Sequence, residues 1–191
     1  MKELTILLIC ILAIFIYISY LRKNIYLTKI ISNIDKKEYY VRNLSDKQEA
    51  SNKLAELSQL LNKLIDSLDE KDELKSEEIK RLKKSFNSEN ITENIPGSIY
   101  VAYSVNKGDE LSICIREKES ENFIDMNTII FVSIHELAHI MSVSTGHTKE
   151  FWDNMKYLLK EASKVGIYQI VDYSSDPIEY CGMIINSTPL N

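Results

Sequence analysis

The pentapeptide His135-Glu136-Leu137-Ala138-His139 constrains this chain more than any other feature, because it lies inside the apolar stretch MNTIIFVSIHELAHIMSVS, residues 126–144. A stretch of that length and composition predicts a helix of about five turns, buried on most sides. Histidines four residues apart on a helix project from one face toward one point. The H-E-x-x-H pattern therefore brings two imidazoles to a single ion at Zn–N distances of about 2.0–2.1 Å. Glu136 sits on the adjoining edge, where a carboxylate takes a proton from water instead of ligating the metal.

A catalytic zinc takes three protein ligands and keeps one position open. His147 is the expected third. Gly146 before it can adopt a left-handed conformation that ends the helix and turns the chain back. All three histidines of the chain then fall between 135 and 147. Glu161, Glu150 and Asp153 are the alternatives, and zinc's preference for imidazole favours His147 over them. An isolated H-E-x-x-H also arises by chance, and a histidine on an apolar face is commonly just hydrogen-bonded in a core. The apolar helix, a preceding hairpin and a third histidine after a turn weigh against that reading.

The hairpin is read from SIYVAYSV (98–105) and ELSICIR (110–116), both rich in β-branched and aromatic residues, on either side of Asn106-Lys107-Gly108-Asp109. A second helix is expected over Lys149 to Ala162, with Phe151, Met155, Leu158 and Leu159 as its apolar face. Of the later tyrosines Tyr168, Tyr173 and Tyr180, packing is the ordinary role. Tyr180 is the one named as a stabiliser of an oxyanion.

From Leu4 to Leu21 the chain carries no charge, and as a helix it would reach roughly 27 Å. Tyr17, Tyr20 and Arg22-Lys23 close the run, with no small-x-small cleavage site. A single-pass membrane anchor is expected, and the excess of Arg22, Lys23 and Lys29 over Lys2 puts the rest of the chain on the cytoplasmic or virion-interior side. Beyond it, Ala50, Leu54, Leu57, Leu61, Leu64 and Leu68 form a helical stripe. Packing of the stripe on its own domain is favoured, while a homodimer through residues 50–68 stays open. A shorter helix starts near Ser76, with Ile79, Leu82 and Phe86 apolar.

The balance of 28 acidic against 23 basic residues gives no broad field for phosphates, so direct nucleic acid binding is not expected. Cys10, Cys114 and Cys181 have no C-x-x-C spacing, which points to reduced thiols and a cytosol-like compartment. Cys181 is expected as a small buried residue.

SVNKGDELSICIRE (104–117), FVSIHELAHIMS (131–142), GHTKEFW (146–152) and GIYQIVDYSSDPIEYCGMIIN (166–186) together resemble the WLM-type zinc metallopeptidases, of the kind encoded by large DNA viruses. The resemblance implies an α+β minimal zincin fold, a small sheet packed on the active-site helix. It also implies Zn2+ held by His135, His139 and His147, with Glu136 as catalyst. Cellular members act on proteins crosslinked to DNA and carry basic and modifier-binding tails; this chain has neither tail, and its interval from His139 to His147 is longer. That substrate class is not carried over. The expected organisation is an anchor at 1–23, a helical stalk at 24–94 and the metallopeptidase domain at 95–191. The expected function is a membrane-anchored zinc endopeptidase acting on a protein or peptide. The alternative is a non-catalytic, membrane-anchored structural or virion assembly protein that keeps zinc for stability.

Overall fold

The computed structural model of the chain describes residues 2–190; in its first helix the side chains of 3, 15, 16 and 18–24 are outside that description. The elements run α1 (Lys2–Tyr26), β1 (Leu27–Ile31), β2 (Glu38–Arg42), α2 (Lys47–Ser67), α3 (Ser76–Ser85), β3 (Ile91–Glu93), β4 (Ala102–Val105), β5 (Glu110–Ile113), α4 (Met126–Met141), α5 (Lys149–Lys164), β6 (Ile178–Tyr180) and β7 (Met183–Ile185). Five strands form one mixed sheet in the order β1-β2-β3-β5-β4, and β6 with β7 makes a separate hairpin. The β1–β2 and β4–β5 pairs are antiparallel, while β3 lies parallel to both β2 and β5.

Helices α2 and α4 cover the sheet, α2 against β1, β2 and β3 and α4 against β4 and β5. The reason is in the stripe: Ala50, Leu54, Leu57, Leu61 and Leu64 are 0% exposed and Leu68 3%. Each buried leucine contributes roughly 1.5–3 kcal/mol relative to exposure. With the stripe buried inside the chain, residues 50–68 offer no apolar face for a second copy. Strands β1, β2 and β3 fall in a region expected to be helical. They are short, LTKII, EYYVR and ITE, and their polar residues blur the period-two signal that a longer strand would give.

The expected membrane anchor is overturned. Among the described residues, no helix is long and apolar enough to cross a membrane. The single-pass placement with a cytoplasmic or virion-interior domain falls with it. The side chains of Arg22 and Lys23, two of the three cations that carried the orientation, lie outside the described residues.

The expectation of reduced thiols is also corrected, because Cys114 and Cys181 form a disulfide between the end of β5 and the β6–β7 turn. Their separation of 67 residues has no motif spacing, so only the fold reveals the pair. Nearby, Arg116 is 2% exposed and donates to Glu93 (2.8 Å) and, through both terminal nitrogens, to Asp46 (2.6 and 2.8 Å). Glu93 in turn accepts from the Arg42 backbone N–H at 2.7 Å. One guanidinium thus ties β2, β3 and the start of α2 to the strand that leads into the site.

The hairpin turn matches its sequence signal, with Asn106, Lys107 and Gly108 all at positive φ. Gly108 is required on a second count: a Cβ there would sit 2.5 Å from the Ser85 carbonyl oxygen. Strand β4 begins at Ala102 instead of at Ser98.

Candidate metal centre

Helix α4 starts where Asp125 accepts from the Thr128 N–H at 2.9 Å, an N-cap that satisfies one of the helix's free donors. Most of its residues are buried, so its orientation is set by the core on several sides. It ends at Met141, short of the expected residue 144. The Ser142 hydroxyl bonds back to the Ala138 carbonyl (2.7 Å) and accepts from Asn154 Nδ2 (2.9 Å). Cations occupy the carbonyls left free at this end: Arg81 donates to Met141 O, and Lys107 Nζ to Ser142 O (2.6 Å) and Val143 O (2.9 Å). Gly146 has the left-handed conformation expected (φ +77), but it turns the following loop rather than ending the helix.

That loop is held by Glu150, which accepts from the Val143 N–H (2.8 Å), the Ser144 N–H (3.0 Å) and the Ser144 hydroxyl (2.6 Å). These bonds, the Ser144 hydroxyl first, lower its carboxyl to about 2. Thr148 caps α5 by accepting from the Phe151 N–H. His147 is therefore fixed between an anchored loop and a capped helix.

The result is a cluster in which one ligand atom from each of His135, His139 and His147 lies within 4.8 Å of the others. His135 Nε2 and His147 Nε2 are 3.1 Å apart. Two nitrogens bound tetrahedrally to one zinc would be about 3.3 Å apart. Ring centroids of the three imidazoles are 4.9–5.0 Å from one another, and Phe151 lies 4.3–4.8 Å from all three. The alternative ligands are engaged elsewhere: Glu150 in the loop, Asp153 with Lys149 (2.6 Å) and Glu161 with Lys164 (2.6 Å).

Burial, then the neighbouring imidazoles, holds His135 at about 3; burial, then His147 and Lys107, holds His139 at about 4. Both rings are neutral near pH 7, the form with a lone pair to give a metal. Glu136 is 7% exposed, and burial raises its carboxyl to about 7, against a smaller opposing pull from the Ser104 backbone N–H. Tyr180 is fully buried, donates to the Cys114 carbonyl at 2.7 Å, and is raised by burial and then by the Glu136 charge. Tyr168 and Tyr173 pack on Phe131, with centroids 6.2 and 4.7 Å away.

Several participants were missed from sequence. Phe151 was read only as an apolar helix position, and Lys107 only as part of a turn. Nothing in their spacing signals contact with a histidine or with a helix terminus, since both contacts join separate elements.

The WLM domain family model matches residues 42–176. An uncharacterised protein of Acanthamoeba polyphaga mimivirus is 34% identical over 184 residues, covering 94% of this chain and 92% of that protein. An uncharacterised protein of Invertebrate iridescent virus 6 is 39% identical over 69 residues, 35% of this chain and 38% of its own length. Among solved structures, Wss1 from Saccharomyces cerevisiae superposes with a TM-score of 0.50 at 20% identity, over 65% of this chain and 86% of that one, a likeness of fold. Taken with the histidine cluster at the end of α4, these matches establish that the chain belongs to the metallopeptidase-like WLM domain family, of the kind encoded by large DNA viruses.

Proposed function

We propose that this protein is a zinc-dependent endopeptidase, in which His135, His139 and His147 hold the metal and Glu136 is the general base. The observation that carries the reading is the pairing of a three-imidazole cluster with a buried carboxyl, raised to about 7, on the same helix. Zinc, when bound, would polarise the scissile carbonyl and lower the pKa of water at the site.

The chain's own residues supply the rest. Glu136 accepts a proton from the attacking water and passes it to the leaving amine, and a pKa near the working pH suits both transfers. The α4 core, Phe151 and the Glu150-bound loop keep the imidazoles in place without rearrangement. Strand β4 borders the sheet and has β5 as its only strand partner among the described residues, leaving an edge beside Glu136 on which an extended peptide can add. Tyr180 acts on an oxyanion only if its hydroxyl leaves the Cys114 carbonyl.

The non-catalytic assembly role explains the imidazoles but gives no reason for a buried carboxyl, raised by its burial, beside them. The test is zinc stoichiometry and cleavage of an unfolded protein such as casein, for the wild type and for His135→Ala and His147→Ala. One zinc per wild-type chain with cleavage, both lost in the variants, supports the proposal. One zinc and no cleavage of any peptide overturns it.

A further inference from the structure

An open cavity of about 400 Å³ lies between α5 and the C-terminal tail, lined by Trp152, Asp153, Lys156, Ser187, Thr188 and Pro189. We propose that this cavity receives the substrate side chain next to the cleaved bond and selects a large apolar or aromatic one. The proposal rests on the peptidase reading and adds the substrate preference of that site.

Position makes the first argument. The Trp152 ring lies 5.6 Å from the His147 ring and 4.9 Å from Phe151, so one indole separates the cavity from the third imidazole. Neighbouring Cα atoms of a peptide are about 3.8 Å apart, so a carbonyl at the histidines puts an adjacent side chain within reach of that indole. Chemistry makes the second. The apolar part of the lining is the indole and the Pro189 ring, and Trp152 remains 39% exposed, an unusual condition for a tryptophan without a partner surface. Asp153 faces two lysines, Lys149 at 2.6 Å and Lys156 in the same lining, so the wall offers no single charge to select a basic or an acidic side chain. The volume lies within the range of small-ligand pockets, ample for a Phe or Leu side chain.

Trp152 is the only tryptophan in the sequence, so its emission reports occupancy of the cavity without turnover. The experiment titrates the full chain, as zinc-loaded Glu136→Gln, with an alanine hexapeptide and with the same peptide carrying one Phe. Expected is a change in Trp152 emission with the Phe peptide bound at least ten-fold more tightly. Thr188→Arg, which fills the cavity from the tail with a residue outside the histidine cluster, should reduce that preference below two-fold with zinc stoichiometry unchanged. Equal affinities of the two peptides, or a preference that persists in Thr188→Arg, overturn the proposal. Cleavage by the Glu136 chain is measured separately: absence of cleavage with the Phe preference intact defeats the peptidase reading alone and leaves the cavity as a peptide side-chain site.

Discussion

Glu136 costs the folded chain stability at neutral pH. Burial raises its folded pKa to about 7, above the ordinary value near 4.5, so the native state favours the neutral carboxyl. The stability linked to that proton is present below about 4.5 and is lost as pH rises through 7, on the order of 3 kcal/mol in all. Metal-free Glu136→Gln should therefore melt higher than the wild type at pH 8, with the gap closing toward pH 4.5. Thermal melts at the two pH values check this, and equal gaps at both would contradict it. Glu150 has the opposite sign. Its carboxyl is lowered to about 2 by the Ser144 hydroxyl and the two backbone N–H groups, so its contribution is present above about 4.5 and lost as pH falls toward 2. Glu150→Gln should loosen the His147 loop and weaken zinc affinity about 10–100-fold, as loss of a group supporting a metal ligand typically does; competition with a chelating dye measures it. At this scale the sequence was most readable, because H-E-x-x-H is a local pattern whose spacing is the helix repeat itself. Contacts of Lys107, Asn154 and Phe151 were unreadable, because each joins separate elements whose approach is set by tertiary packing.

The elements show why some boundaries were legible and others were not. The α2 stripe was plain, since six apolar positions alternating by four and three residues leave little room for another structure. The end of α4 was misplaced by three residues, because the Ser142 back-bond, the Asn154 donor and two cations stop it where apolar content does not. Strands β1 to β3 were missed because their pairing partners are distant and their lengths are only three to five residues. Arg116 was visible only as part of a family pattern, and its role is to hold buried Glu93 and bidentate Asp46 together. Arg116→Met should cost about 3–5 kcal/mol, since it leaves Glu93, 1% exposed, without its cation. Urea unfolding monitored by circular dichroism gives the value, and a loss below about 1 kcal/mol would contradict the role.

The whole molecule places a local histidine motif on a scaffold drawn from nearly the entire chain. Three of the five sheet strands precede the hairpin, α2 fills the core under them, and the Cys114–Cys181 disulfide joins β5 to the β6–β7 hairpin that carries Tyr180. Replacing both bridged cysteines with serine should lower stability by about 2–4 kcal/mol, given the long loop it closes, with the wild type under reducing conditions behaving alike. Zinc-loaded wild type and Glu136→Gln, assayed side by side on one peptide at pH 7, decide whether Glu136 is the general base. Equal zinc content is expected, with a fall in cleavage rate of about 10²–10⁴-fold in the variant. Equal rates at equal zinc content would contradict it.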